Sequence, residues 1–351
     1  MMNYSKYSNV LDDECLKNYD VTNDDAEIEK VSEDKLKNLL TEHVSKTKIV
    51  ISLSGGVDSM VLLHILKHFS STEIVTVHIN YNNRDESVAE ADFLDAYCKH
   101  LKVKMIRHDI THIKRFQHGM NRSEYEQETK TIRYDLYKKV NDVEEVDGIY
   151  LAHHDGDVVE NIFNNVMKNN HVSDLAVLKK ENIINGVRIL RPFIGIKKDV
   201  IMHYANKYQV PYFKDTTPDW SCRGMMRNDI FPNCKKCYGV GFDDNLLKFA
   251  EEVKEINNIA FIIMKKYMGY ALLRDCILLD LKLTDEILLF PVMFWRILFD
   301  KICDDQRMPR FSKKSIDNFY NNISNENNTI MSKTTTISKY IGNVYIHTKT
   351  K

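Results

Sequence analysis

Lys48-Ile49-Val50-Ile51-Ser52-Leu53-Ser54-Gly55-Gly56-Val57-Asp58-Ser59-Met60-Val61-Leu62-Leu63-His64-Ile65-Leu66 is the stretch from which the rest of the chain can be read. A β-branched run leads to Leu53, two glycines follow, and apolar Val61, Leu62, Ile65, Leu66 and Phe69 then recur at helical spacing. The order is strand, tight loop, helix. Adjacent glycines let the backbone turn sharply and aim its N–H groups, together with the N-terminus of the next helix, at an anion. Residues 54–59 therefore read as a phosphate-binding turn, with a plain glycine turn as the alternative. The Gly-Lys-Ser/Thr ending that serves β,γ-phosphoryl transfer is absent, so that chemistry is not the natural reading.

Working outward, the same alternation recurs. Strands are expected near 73–79, 103–107 and 148–152, with helical segments near 86–101, 123–140 and 156–168. A fifth strand is expected at Val187 to Leu190, followed by a helix over about 197–209. Alternating strands and helices predict an α/β fold, a doubly wound parallel sheet of about five strands covered on both faces. That domain is expected to span 46–232. Residues 1–45 read as an acidic leader with a helix over roughly 26–44. Residues 233–351 read as mainly helical, closing in a small hairpin around Ile341-Gly342-Asn343.

The chain has 351 residues, 43% hydrophobic and 28% charged, enough for two or three domains with a full core, which excludes a disordered tail or a disulfide-stapled miniprotein. Its seven cysteines are odd in number and scattered, so reduced thiols and a cytoplasmic location are expected. No apolar run reaches the roughly 18 residues that a membrane span needs, and the start lacks a signal core. The net charge of -1 is uneven: residues 1–34 carry three Lys against ten Asp and Glu, which leaves a body of +6. Such a body permits nucleic-acid binding without demanding it.

The six residues SGGVDS resemble the pyrophosphate loop of the N-type ATP pyrophosphatases, the PP-loop superfamily with its adenine nucleotide alpha hydrolase-like fold. Further segments, in order, look like the tRNA(Ile)-lysidine synthase family. His78-Ile79-Asn80 with Arg84 and Ser87 is similar to its HxNHxLRxxS segment, with Tyr81 where the second His is usual. Lys130, Arg133 and Tyr134 fall on its ARxxRY helix, with Lys130 for the first Arg. Residues 152–160, AHHDGDVVE, followed by Asn161, resemble AHHxxDQxET, with Val158 for Gln and Asn161 for Thr. Arg191-Pro192-Phe193 matches the RPLL step. Arg223-Gly224-Met225-Met226-Arg227, with Pro232 further on, resembles RNxIRxxxxP with Gly224 for Asn.

The resemblance implies ATP and Mg2+ as cofactors, and a CAU-anticodon tRNA for isoleucine and free lysine as partners. The wobble cytidine would be adenylated, and the ε-amine of lysine would then displace AMP to give lysidine. ATP would meet Ser54, Gly55, Gly56, Val57, Asp58, Ser59 and His78. Asp58 would hold Mg2+ or order the loop. Arg84, Lys130, Arg133 and His154 would touch substrate. Asp157 and Glu160, three apart on one face of a helical turn at the carboxyl edge of the sheet, would recognise lysine. Arg223 and Arg227 would bracket the α-phosphate or the tRNA backbone. Plainer roles stand beside these: Arg133 and Tyr134 as packing, His153 and His154 as strand-end caps, Asp157 and Glu160 as favourable helix-start acids, and the arginines as a solvated face. Two other functions are compatible with the pattern. A tRNA thiolase would use Cys234 and Cys237, although one CxxC supplies only two ligands. A catalytically silent tRNA binder would explain the departures at Tyr81, Lys130, Val158, Asn161 and Gly224.

Overall fold

The computed structural model describes residues 47–82, 86–111, 122–170, 175, 178–213, 221–267, 269–273, 276–280, 288–306, 308–324, 328–340 and 343–348. The expected acidic leader, its helix over 26–44 and Arg84 lie outside the described residues. The described residues fall into two compact units. One holds those up to Glu160 together with Leu178–Cys237; the other holds those of Asn161–Val177 and from Tyr238 onward.

In the first unit, β1 (Lys48–Ser52) leads into α1 (Val57–Phe69), β2 (Glu73–Asn80), α2 (Ser87–His100), β3 (Lys104–Asp109), α3 (Arg122–Glu144) and β4 (Ile149–Tyr150). Helix α4 (Asp155–Met167), in this unit as far as Glu160, follows, then β5 (Glu181–Ile184), β6 (Val187–Leu190) and α5 (Lys198–Lys207). The sheet order is β3-β2-β1-β4-β6-β5. Five strands run parallel, as expected, and β5 adds an antiparallel edge that the periodicity did not predict. It returns through Asn185 and Gly186, both at positive φ (50° and 81°), the backbone of a two-residue hairpin turn.

Successive side chains of a strand face opposite sides, and this divides the core. Ile49, Ile51 and Leu53 pack with Met60, Leu62 and Ile65 of α1, Phe93 and Leu94 of α2, and Ile201 and Tyr204 of α5. Val50, Val75, Val77 and Ile149 face the other way, onto Tyr134, Tyr137 and Val140 of α3. A sheet buried on both faces needs continuous rather than alternating apolar strands, which explains the Ile49-Val50-Ile51 run. The unit ends in α6 (Cys222–Met225), a π-helical turn over Met226–Ile230 and α7 (Phe231–Tyr238).

In the second unit, α8 (Phe242–Tyr267) is followed by β7 (Gly269–Leu273), β8 (Cys276–Asp280), α9 (Val292–Asp305), α10 (Lys313–Asn321) and β9 (Thr329–Ile330). Strands β10 (Thr335–Tyr340) and β11 (Asn343–Thr348) form the expected C-terminal hairpin. That hairpin belongs to a five-stranded antiparallel sheet, β7-β8-β11-β10-β9. Trp295, Phe299, Phe319, Ile337 and Ile346 are fully buried in its core. Among the described residues no helix is long and apolar enough to cross a membrane.

Candidate nucleotide and amine site

The phosphate turn is built by its own hydroxyls and by one aromatic ring. Ser59 Oγ accepts from the N–H groups of Ser54 and Gly55 (both 3.2 Å), lies 3.0 Å from Ser54 Oγ and donates to the Gly56 carbonyl at 3.0 Å. Gly55 sits at φ +88°, and an added Cβ would lie 2.6 Å from the Phe213 ring. The Phe213 N–H donates to the Gly55 carbonyl at 2.9 Å, which fixes the turn from outside. Helix α1 starts at Val57, and the first-turn N–H groups of a helix have no intrahelical partner, so the turn presents donors and a positive dipole end together. His78 stands at the base of the turn. Its Nδ1 donates to the Leu53 carbonyl at 2.8 Å, and burial holds its pKa below the ordinary value.

Asp58 carries the turn toward the other residues. Its Oδ1 and Oδ2 accept from Lys198 Nζ at 2.6 and 2.8 Å. His154 Nε2 lies 3.7 Å from Asp58 and 3.6 Å from Asp157. His154 Nδ1 accepts from the Gly156 N–H at 2.9 Å, so in the neutral ring the proton is on Nε2, between the two carboxylates. Asp157 Oδ2 in turn accepts from the His154 N–H at 3.0 Å. His154 and Asp157 thus cap the start of α4 reciprocally, in the manner of a capping box. The plain helix-start role of Asp157 is real, and it coexists with the electrostatic one.

The carboxylates of Asp157 and Glu160 are almost fully buried, 9% and 11% exposed, and they meet two arginines. Arg223 donates from Nε to Glu160 at 2.6 Å and from Nη2 to Asp157; Arg227 donates from Nε to Glu160, with its Nη2 3.6 Å from Asp157. Burial alone would raise the Asp157 pKa; His154, Arg223 and His153 outweigh it and hold the carboxyl below its usual range. The arginines stand on α6 and the π-helical turn, whose wider winding is a frequent mark of functional sites. The sequence reading placed this pair on a phosphate or on the tRNA backbone. In the structure both arginines donate to the two carboxylates.

His153 forms the flank. Its Nδ1 accepts from Arg191 Nε at 3.2 Å, and Arg191 Nη1 donates to the Lys179 carbonyl and Asn182 Oδ1. Burial, with Arg191, Arg223 and Arg133 nearby, lowers the His153 pKa to about 4, so the ring is neutral and carries its proton on Nε2. Arg133 is held by Tyr81, whose hydroxyl accepts from Nε at 2.9 Å and Nη2 at 2.6 Å. The unusual Tyr81 therefore has a definite task. Lys130 is exposed on α3. Val158 is buried. Gly224, also buried, donates its N–H to the Ser221 cap at 2.9 Å.

Sequence reading missed Lys198, Phe213 and the tautomer-setting contact of Arg191. Lys198 did leave a signal, because a lysine at the start of a helix opposes the macrodipole and asks for another purpose. Mg2+ fits poorly as a resident ion at Asp58. It requires about six oxygen ligands, and both Asp58 oxygens accept from the Lys198 ammonium group. Among the described residues no three His, Cys, Asp or Glu side chains converge to hold a metal. Cys222, Cys234 and Cys237 are free thiols.

A parallel α/β sheet with a glycine turn and a helix N-terminus at the carboxyl edge of its first strand defines a phosphate-binding protein of the doubly wound class. The chain belongs to the PP-loop domain family, whose model matches residues 28–234. It is 31% identical over 214 residues to the tRNA(Ile)-lysidine synthase of Chlamydia felis, covering 60% of this chain and 66% of that protein. It is 30% identical over 172 residues to the protein of that name from Lactiplantibacillus plantarum, covering 48% of this chain and 37% of the relative. The match thus spans just under two thirds of the chlamydial protein's length. Among solved structures it is similar to the U34-tRNA thiolase NcsA of Methanococcus maripaludis. The TM-score is 0.52 at 21% identity, over 64% of this chain and 78% of that one, a likeness of fold.

Proposed function

We propose that the protein is an ATP-dependent ligase that modifies tRNA: it adenylates the wobble cytidine of a CAU-anticodon tRNA and joins free lysine to the activated base. The observation that carries this reading is the pair of buried carboxylates, Asp157 and Glu160, on one turn of α4 and linked through His154 to the phosphate turn. A phosphate turn alone would serve many nucleotide enzymes. Two buried carboxylates beside it fit an amine co-substrate, because burial strengthens their hydrogen bonds to an ammonium group. Membership of the PP-loop family and the relatives named as lysidine synthases support the same reading.

In the first step the cytidine 2-carbonyl oxygen attacks the α-phosphorus and the bond to the β-phosphoryl oxygen breaks. The turn's N–H groups and the α1 N-terminus meet the charge that builds on the leaving pyrophosphate. In the second step the lysine ε-ammonium loses a proton to solvent water, its nitrogen forms a bond to C2, and the C2–O bond breaks so that AMP leaves with the former carbonyl oxygen. Asp157 and Glu160 orient the amine. Arg223 and Arg227 hold these carboxylates until lysine arrives, then turn to the phosphate of AMP. His153, neutral and with Nε2–H available, adds a donor beside Arg133 for the base. The place of action is the cytoplasm, with its tRNA.

The test is AMP release from labelled ATP by the purified chain, with CAU-anticodon transcript and lysine each present or omitted. Release that needs both is expected. Release that needs tRNA but ignores lysine would remove lysine from the reading and point to another nucleophile; release with neither would remove the tRNA.

A further inference from the structure

We infer that Lys198 is the fixed cation of the phosphate turn, and that Asp58 holds this lysine ready for phosphate instead of ligating a metal. This deepens the adenylation reading and rests on it. Residues 54–59 contain no lysine or arginine, so the turn offers dipoles but no full positive charge to a polyphosphate. The charge comes from α5: Lys198 Nζ contacts both oxygens of Asp58, the second residue of α1, at 2.6 and 2.8 Å. His154, just before α4, brings its Nε2 to 3.7 Å from the same Asp58 carboxylate, so the pair lies on the side of the turn that faces α4.

Four features suit Lys198 to exchange partners. Its side chain is 44% exposed, and that of Asp58 27%, so the pair is wet and weakly held. Asp58 needs no lysine for its own comfort, because a carboxylate in the first turn of α1 is stabilised by the helix dipole. Lys198 has the opposite situation, a cation at the start of α5, where the dipole opposes it. An ammonium on a four-carbon stem can follow phosphate oxygens over the range a leaving pyrophosphate moves. The same contact explains why Asp58 is a poor Mg2+ ligand here. Metal that enters as the ATP complex is substrate; the charge that stays with the protein is Lys198.

The experiment is calorimetric titration of the full chain with inorganic pyrophosphate, first with chelator and then with Mg2+, on the wild type, Lys198→Gln, Lys198→Arg and Asp58→Asn. Thermal melting of each protein is run alongside. Without metal, Lys198→Gln is expected to weaken pyrophosphate binding 10-fold or more. Lys198→Arg should restore most of that loss, and Asp58→Asn should bind as tightly as the wild type or tighter, having lost the competing carboxylate. The arginine variant separates charge from a mere clip between α1 and α5, and it covers the case in which the glutamine variant folds poorly. Undiminished binding by Lys198→Gln, or loss confined to Asp58→Asn and seen only with Mg2+, would overturn the inference and leave the phosphate turn standing. A wild type that binds no pyrophosphate in either buffer would overturn the turn's assignment and this inference with it.

Discussion

The Gly156 N–H donates to Nδ1 of the His154 ring at 2.9 Å, and a Cβ added to Gly156 would lie 2.6 Å from Cε1 of that ring. The ring can cap α4 and stand between Asp58 and Asp157 because residue 156 has no side chain. Gly156→Ala must push the ring away, which breaks the cap and moves Nε2 from the two carboxylates. A loss of about 1–3 kcal/mol in urea unfolding is expected, combining a lost cap with overpacking. AMP release should fall further than stability does, and an alanine variant with wild-type turnover would detach the His154 geometry from function.

Gly55→Ala tests the other end of the site. At φ +88° an alanine is strained, and its Cβ meets Phe213 Cδ2 at 2.6 Å and Cε2 at 2.9 Å. The strain alone costs about 1–2 kcal/mol. The double variant with Phe213→Leu should recover part of the melting temperature, because the ring is removed, yet little of the ATP affinity, because the turn remains strained. Full recovery of both would mean that the ring, and not the backbone, required a glycine.

What could be read in the sequence divides along contact distance. Strand β1, the turn and α1 were legible because their signals lie within a few residues of one another, and so was Asp157 as a favourable helix-start acid; its reciprocal cap with His154 was not read from the sequence. Strand β5 was missed although Ile184-Asn185-Gly186-Val187 is a hairpin signal, since Glu181-Asn182-Ile183-Ile184 is an edge with little buried face and hence little apolar pattern. The carboxylate pair and the arginine pair were each visible. Their meeting was not, because Arg223 Nε and Glu160 are 63 residues apart and no local rule connects them. Lys198 and Asp58 are separated by 140 residues, and only the packing of α5 beside α1 brings them together. Tyr81 looked like a departure from the family pattern, and only the fold reveals Arg133 as its partner.

Acid should destabilise the protein well before its carboxylates titrate. His78, His153 and His154 are held below the ordinary histidine value chiefly by burial, His153 at about 4. The unfolded chain takes up these protons near pH 6.5 while the folded protein resists, so stability is fully present above that value and is lost as pH falls toward 4. His153 alone accounts for roughly 1–3 kcal/mol of that loss. Asp157, whose pKa is lowered, adds a further loss once pH falls below the unfolded carboxylate value. Urea midpoints measured from pH 7.5 to 5 should decline, and His153→Asn should flatten the slope. A midpoint that rises toward pH 5 would contradict the neutral state of these rings.

Glu160 and Arg223 should move the lysine requirement in opposite directions. Glu160→Gln keeps the shape of the side chain and removes the charge that an ammonium seeks, so the KM for lysine should rise about 10- to 100-fold, the range of a lost charge-assisted hydrogen bond. Adenylate formation, followed as tRNA-dependent pyrophosphate exchange, should continue, because Glu160 acts on the amine and not on ATP. Arg223→Met removes the guanidinium that shares Asp157 and Glu160. With that competitor gone, lysine should bind more tightly and KM should fall, while kcat drops because the arginine no longer reaches the phosphate of AMP. The stability cost should stay near 1 kcal/mol, since the Arg223 side chain is 49% exposed and Arg227 still meets Glu160. Steady-state kinetics at saturating tRNA and ATP separates the two effects. If both variants raise KM alike, the arginines are part of the lysine seat itself and do not occupy it in place of lysine.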